Sequence, residues 1–265
     1  MRGSPGATEG SMRTIATVNQ KGGSGKTTTA VNLAAALAER QRRVLVVDLD
    51  PQASASNWLG AAGNGRGMLD VFLGHQAIGD MVSDSVVEGV EVVGASEWLV
   101  GAEKALAGEV GAEALLRRQL EGVPAGRWDY ILVDCPPALG VLTVNALVAV
   151  REVLIPVEAH VMALSGLAQL METIGVVRER LNPGLVVAGI VLCRVDLRTR
   201  HAREVGEEVR KRFAALTYNT VIRENIRIAE CPSFRQPITQ YDPRSAGAAD
   251  YRALAEEMIQ QEGRV

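Results

Sequence analysis

Two patterns of apolar residues alternate along this chain, and they predict strands and helices in turn. Short runs such as 44–47 (VLVV) and 130–133 (YILV) are apolar without interruption, which is typical of strands buried on both faces of a parallel sheet. Between such runs, apolar residues recur at i, i+3, i+4 and i+7, as they do from Ala30 to Leu37. That spacing places them on one face of a helix.

The alternation of strand and helix patterns predicts a doubly wound α/β fold, a mostly parallel sheet flanked by helices on both faces. In such a fold, ligands bind at the carboxyl ends of the strands. The segment 60–90 is rich in glycine and weakly patterned, so we expect surface loops and short helices there. Strands are predicted at 13–19, 43–48, 90–95, 129–134, 152–157, 186–193 and 216–221. Helices are predicted near 26–40, 97–107, 110–121, 139–149, 163–181, 201–214 and 246–261.

The composition fits one globular domain. The chain has 265 residues, of which 47% are hydrophobic and 22% are charged, enough apolar material for a sizeable core. Residues 1–11 are small, polar and rich in glycine, so we expect a disordered leader or a cloning remnant, followed by a single domain over 12–265. Because no signal peptide and no long apolar run is present, we expect a cytoplasmic protein.

The three cysteines give no sign of a metal centre. Cys135, Cys193 and Cys231 are widely spaced and form no C-x-x-C pair. We expect buried, reduced thiols.

A glycine-rich, lysine-containing turn lies between the first predicted strand and the first predicted helix. Glycines allow backbone N–H groups to turn around an anion, and the helix N-terminus adds its unpaired donors and positive dipole end. Lys26 supplies a charge for the β- and γ-phosphates, and the Thr27 hydroxyl is placed to bind Mg²⁺. The phosphate-binding loop consists of Lys21, Gly22, Gly23, Ser24, Gly25, Lys26, Thr27 and Thr28.

Aspartates follow two of the predicted strands. Asp48 and Asp50 come after the second strand, and Asp134 ends the strand at 129–134. A hydrophobic strand that ends in aspartate downstream of a phosphate loop is the Walker B arrangement, in which the carboxylate holds Mg²⁺ directly or through water, opposite Thr27. The sequence therefore predicts a P-loop NTPase with a magnesium site.

The loop departs from the ordinary G-x-x-x-x-G-K-[ST] pattern, because position 20 is Gln20. Its K-G-G-x-G-K-T form resembles the deviant Walker A loop of the ParA/MinD family of ATPases. Further marks of ParA-type members are D-x-D-P-Q at 48–52, D-C-P-P at 134–137 and a segment at 221–227 similar to I-P-R-N-x-R. The resemblance covers about 13–261 and corresponds to the small form without an N-terminal DNA-binding domain. Two departures are Arg223-Glu224, where Pro-Arg is usual, and Arg235, where glycine is usual.

The resemblance implies an ATPase that binds ATP and Mg²⁺ and forms a homodimer with ATP sandwiched between the subunits. It implies catalytic roles for three residues of this sequence. Lys26 contacts the phosphates of its own subunit, Lys21 reaches the partner's phosphates, and Asp50 orients the attacking water.

The same resemblance assigns the remaining polar residues of the site. Asp134 would support Mg²⁺, and Asp48 would be a second carboxylate on the Mg²⁺ side or one that acts indirectly. Pro136 and Pro137 would begin the switch segment that senses the γ-phosphate.

Positive charge collects between Arg194 and Arg235, where ten basic residues stand against six acidic ones, although the whole chain has a net charge of −3. With no recognition helix and no aromatic platform, contacts to DNA would be to the backbone and independent of sequence. The resemblance implies nonspecific binding to double-stranded DNA, association with the nucleoid, and a ParB-like centromere-binding activator. The candidate DNA-binding residues are Arg198, Arg200, Arg223 and Arg227.

The main alternative is a MinD-like ATPase that acts at a membrane or on a protein cargo. A membrane-binding C-terminal helix would carry basic residues beside its apolar stripe. Here the polar face of the last predicted helix carries Glu256, Glu257 and Glu262, which anionic lipid would repel. We therefore expect no membrane partner.

Other nucleotide-binding classes fit less well. A dehydrogenase would need glycine where Thr28 stands, and a GTPase would need N-K-x-D where 193–196 reads CRVD. An iron–sulfur reductase would need cysteines placed to hold a cluster between subunits.

Overall fold

The structure, a computed structural model, describes residues 12–61, 67–106, 108–160 and 163–262. Within these ranges eight strands form one sheet in the order β3-β4-β2-β5-β1-β6-β7-β8, and every pair is parallel except β3–β4. The predicted α/β fold class is confirmed, whereas the predicted leader at 1–11 lies outside the described residues. The strands are β1 (Arg13–Thr17), β2 (Val44–Asp48), β3 (Ser83–Asp84), β4 (Val90–Val93), β5 (Tyr130–Asp134), β6 (Glu152–Glu158), β7 (Val186–Val195) and β8 (Thr217–Arg223).

Each predicted helix corresponds to a helix of the structure, with ends shifted by a few residues. Three helices, α2, α9 and α10, fall where no helix is predicted, and β3 lies in the segment where only loops and short helices are expected. The helices are α1 (Lys26–Glu39), α2 (Ser54–Leu59), α3 (Met68–Phe72), α4 (Leu99–Leu106), α5 (Leu115–Glu121), α6 (Val141–Ala149), α7 (Ala163–Arg180), α8 (Arg200–Arg212), α9 (Ile226–Phe234), α10 (Ile238–Tyr241) and α11 (Ala246–Ile259).

The central strands supply two hydrophobic cores. Side chains alternate along a strand, so Leu45 and Val47 pack into the core on one face of the sheet while Val44 and Val46 pack into the core on the other. All four are fully buried, and burial of each contributes about 1.5–3 kcal/mol. This double burial explains why β2 has no polar face.

The strand register brings the carboxyl ends of three neighbouring strands into one row. Asp134 at the end of β5 pairs with Thr17 at the end of β1 and with Asp48 at the end of β2. The phosphate-binding loop leaves β1 in this same row. The fold therefore gathers the predicted acidic residues beside the predicted loop.

The last helix, α11, covers the outer edge of β8. Glu257 accepts hydrogen bonds from the backbone N–H groups of Asn219 at 2.8 Å and Thr220 at 3.0 Å, and Asp250 accepts one from the N–H of Arg223 at 2.9 Å. These carboxylates pair backbone groups that an edge strand would otherwise leave free.

Glu256 and Glu262 also have partners, since they form ion pairs with Arg40 at 2.6 Å and Arg42 at 2.9 Å. The acidic residues predicted on the polar face of the last helix are thus paired with other residues of the same chain. Among the described residues, no helix combines the length and apolar character needed to cross a bilayer.

Candidate functional site

The phosphate-binding loop turns on two glycines in the left-handed conformation. Gly23 has φ 74° and Gly25 has φ 92°, a region that favours glycine. Gly25 is the N-cap of α1 and has no side chain to cap the first turn. The first N–H groups of α1 are consequently available to an anion.

Lys26, the first residue of α1, is a cation with little solvation. Its side chain lies in the interior, with the residue only 6% exposed, and its Nζ donates one long hydrogen bond of 3.4 Å to the Lys21 carbonyl. Burial lowers the pKa of Lys26, against the opposing charges of Asp134 and Asp50. A phosphate at this point would complete the coordination of the ammonium group.

Asp134 is a buried carboxylate with spare acceptor capacity. Its Oδ1 accepts a hydrogen bond from Thr17 Oγ1 at 3.3 Å, while its Oδ2 has no hydrogen-bond partner among the described residues. Burial, followed by the charge of Asp48, raises the pKa of Asp134 well above its usual range. An unpaired carboxylate oxygen in the interior fits a hard divalent cation, which prefers oxygen ligands, with the half-buried Thr27 on the neighbouring helix.

Asp48 accepts three hydrogen bonds from the segment that follows β2. Its Oδ2 accepts from the N–H of Ser56 at 2.8 Å and from Ser56 Oγ at 2.6 Å, and its Oδ1 accepts from the N–H of Asp50 at 3.0 Å. Burial raises the pKa of Asp48 to about 6. These contacts favour the indirect role for Asp48, because it fixes the backbone of Asp50.

Asp50 forms a tight turn at the edge of the cleft. Its Oδ1 accepts from the N–H of Gln52 at 2.9 Å and its carbonyl accepts from the N–H of Ala53 at 2.8 Å. The half-buried carboxylate lines the same cleft as Lys26 and Thr27.

Lys21 lies on the outer side of the loop and is paired within its own chain. Its Nζ is 2.7 Å from Glu158 Oε2, and Arg194 approaches the other oxygen of Glu158 at 3.4 Å. The hydrogen bond from Lys21 lowers the pKa of Glu158. Sequence reasoning missed Glu158, which lies 137 residues from Lys21 at the end of β6.

The cleft beside the loop has a volume of about 790 Å³. Its wall opposite the phosphate loop is mostly apolar and comes from β8, α9 and α11. Pro137 also lines the cleft, whereas Pro136 is buried. Of the three elements that form this wall, β8 and α11 are predicted from the sequence and α9 is not. The apolar wall contains Ile222, Ile226, Ile228, Ala229, Pro232 and Tyr251.

The four candidate DNA-binding arginines occupy different positions, and each has a carboxylate partner. Arg198 and Arg223 line the cleft. Arg223 is held by Asp250, which is mostly buried, at 2.6 Å. The other three pairs are more exposed: Arg198–Asp196 at 2.9 Å, Arg200–Glu204 at 2.6 Å and Arg227–Glu230 at 3.0 Å.

Comparison with known proteins gives consistent matches. The AAA domain family matches residues 12–187. The chain is 45% identical to the sporulation initiation inhibitor protein Soj of Bacillus subtilis, over 92% of this chain and 97% of Soj. It is 43% identical to the chromosome partitioning protein ParA of Myxococcus xanthus, over 94% and 89% of the two chains.

A solved structure has a similar fold. Cobyrinic acid a,c-diamide synthase from Mycobacterium smegmatis, crystallised with an ATP analog and magnesium, is 33% identical to this chain. It has a TM-score of 0.81 and covers 94% of this chain and 95% of its own.

Proposed function

Because this chain belongs to the ParA-type partition ATPases, we propose that it hydrolyses ATP, dimerises on its nucleotide and binds double-stranded DNA without sequence preference. A ParB-like centromere-binding partner would stimulate hydrolysis, and repeated cycles would position chromosome or plasmid DNA on the nucleoid. The observation that carries the proposal is the poorly solvated Lys26 ammonium near the unpaired oxygen of Asp134, beside an open cleft.

ATP and Mg²⁺ are the ligands of this cleft, and they supply the phosphoryl group and the charge that stabilises the leaving oxygens. Thr27 and Asp134 would hold the cation, and Lys26 with the first N–H groups of α1 would bind the phosphates. The apolar wall formed by β8, α9 and α11 suits the face of a purine base. Lys26→Ala should abolish binding of a fluorescent ATP analog, and unchanged affinity would refute the assignment of the loop.

Asp50 would position the attacking water, since phosphoryl transfer requires orientation and charge neutralisation more than a strong base. Asp50→Ala should keep ATP-dependent dimerisation, measured by light scattering, and should lose turnover. Asp84→Ala, which changes an exposed aspartate on the remote strand β3, is the matched control. Wild-type turnover in Asp50→Ala would contradict this role.

Lys21 would reach the partner's phosphates once its ion pair with Glu158 opens. The Lys21 side chain is 46% exposed, and an exposed pair contributes only about 0–1 kcal/mol, so the phosphates of a second subunit can displace it. Lys21→Ala should lose dimerisation more than it loses nucleotide binding. Normal ATP-dependent dimerisation in this variant would leave Lys21 as a surface lysine.

Among the candidate arginines, Arg227 is favoured over Arg223 for DNA. The Arg227–Glu230 pair is exposed, and DNA phosphates compete readily for such a residue. Arg223, by contrast, holds the carboxylate of Asp250 through both its guanidinium group and its backbone N–H.

The decisive experiment is retention on random-sequence duplex DNA at several salt concentrations with ATP, with ADP and without nucleotide. Anionic lipid vesicles are tested in parallel. Arg227→Glu should weaken ATP-dependent binding to unrelated duplexes to a similar degree and leave ATP binding intact, whereas Arg178→Glu, on α7, should have no effect. Equal DNA affinity in the ATP and ADP states would refute nucleotide-dependent DNA binding, and retention on vesicles would favour the MinD-like alternative.

A further inference from the structure

Arg235 has an unusual backbone conformation. It ends α9 as the C-cap residue with φ 52° and ψ 36°, in the left-handed region, and its N–H donates to the carbonyl of Pro232 at 3.2 Å. Glycine is the residue that adopts this conformation without strain. Strained non-glycine residues persist where the surroundings enforce them, and they concentrate at functional sites.

The guanidinium group of Arg235 is available for binding. Arg235 is exposed, and none of the residues that the structure describes forms a hydrogen bond or ion pair with its side chain. The four arginines considered above are all bound to carboxylates. Arg235 therefore offers a phosphate its five donors with no internal competitor.

The turn that carries Arg235 is fixed on two sides. Trp58, on α2 and only 3% exposed, donates its indole N–H to the carbonyl of Gln236 at 2.9 Å. On the other side, the rings of Phe234 and Tyr241 stack with their centroids 5.0 Å apart. The arginine thus projects from a rigid base.

The same tryptophan connects the turn to the nucleotide site. Helix α2 is attached to Asp48 through Ser56, and Asp48 holds the N–H of Asp50. A movement of the Asp48–Asp50 loop would move α2 and, through Trp58, the turn at Arg235.

We propose that Arg235 is a DNA-phosphate contact and that Trp58 is the positioning residue that couples this contact to the nucleotide loop. The inference rests on the proposed function and assigns it a further binding residue. DNA is favoured over lipid because the exposed face of α9 has Arg227 and Glu230 between the apolar Ile226 and Phe234, which interrupts the apolar stripe that an interfacial helix needs.

The test compares Arg235→Gly, Arg235→Lys and the wild type on random-sequence duplex DNA with ATP over a range of salt concentrations. Loss of one phosphate contact per subunit should make the salt dependence of a dimer shallower by about 2 in log–log slope. Arg235→Lys should keep the slope.

The Tm of Arg235→Gly should be about 2 °C higher than that of the wild type, because glycine removes the backbone strain. Gln41→Gly is the matched control, since Gln41 is also exposed and left-handed, with φ 58°. It should gain similar stability and leave DNA binding unchanged. An unchanged salt slope in Arg235→Gly would overturn the inference. The inference would also fail if Arg235→Gly lost binding to anionic vesicles and kept its binding to DNA.

Trp58→Phe tests the coupling, because phenylalanine keeps most of the apolar contact and cannot donate to Gln236. It should reduce the ratio of DNA affinities measured with ATP and with ADP, and an unchanged ratio would refute the positioning role. If the wild type shows no ATP-dependent retention on DNA, the proposed function itself fails. If the wild type is retained on DNA with ATP and Arg235→Gly shows the same retention and salt slope, only the contact at Arg235 is refuted.

Discussion

The hydroxyl group of Ser56 links the nucleotide loop to the neighbouring strand, and its removal gives a sharp test of the site. Ser56 Oγ donates to Asp48 Oδ2 at 2.6 Å and accepts a hydrogen bond from the N–H of Ala95 at 2.8 Å. Both Ser56 and Asp48 are fully buried. The change Ser56→Ala removes both hydrogen bonds and leaves the N–H of Ala95 without its acceptor.

The magnitude follows from these two contacts. A hydrogen bond to a charged group contributes about 1.5–3 kcal/mol, and leaving a buried N–H unpaired costs about 1–3 kcal/mol. Because the N–H of Ser56 still donates to Asp48, we expect a total loss of about 3–4 kcal/mol in the free energy of unfolding. For a chain of this size, that loss lowers Tm by ~10 °C.

Urea unfolding of nucleotide-free protein measures the loss, with Ser85→Ala as the control. Ser85 Oγ bonds only to the backbone of Val87 in a partly exposed turn, so its removal should cost about 1 kcal/mol or less. In Ser56→Ala, turnover should fall more than ATP affinity, because the position of Asp50 depends on Asp48. A loss below about 1 kcal/mol in Ser56→Ala would refute the reasoning.

Three further predictions follow from buried or paired charges. Burial raises the pKa of Asp134 and, to about 6, that of Asp48, so folding takes up protons and Mg²⁺-free protein should gain stability as pH falls from 8 to 5. Asp134→Asn should lose part of this gain in urea titrations, and an identical pH profile would contradict it. Glu158→Gln should release Lys21 and tighten ATP-dependent dimerisation a few-fold; sizing that shows no change would argue against that ion pair. Glu152→Gln should cost about 3 kcal/mol in urea unfolding, because it leaves the buried guanidinium group of Arg13 without its charged partner, and a loss below about 1 kcal/mol would refute it.

The strands and long helices could be predicted from the sequence, because their apolar patterns reflect burial directly. Strand β2 is buried on both faces and reads as an uninterrupted apolar run. Helix α9 is not predicted because Cys231 is its only buried residue. In addition, Pro232 lies inside the helix, and proline is a residue that usually ends or kinks one. Helix α9 matters because it lines the cleft, and the spacing of apolar residues along a sequence does not show which residues line a cleft.

The loop and the aspartates of the site could be located because short motifs place them at strand ends. Their partners could not be predicted, since they come from distant positions. Glu158 beside Lys21 and Gln236 beside Trp58 meet only when the sheet assembles. The sequence shows that the Arg194–Arg235 window is basic, but only the fold shows which arginines are already bound to carboxylates.

The covered edge of the sheet has a consequence for how copies of this protein meet at high local concentration. Carboxylates of α11 occupy N–H groups of β8, and the opposite edge is β3, an exposed two-residue strand that carries Asp84. Within the described residues, neither edge of the sheet therefore offers a long open strand for a second chain to extend. If copies pair through a closed contact, as in the nucleotide-sandwiched dimer proposed above, assembly ends at the pair, because closed contacts terminate assembly while open strand edges propagate it.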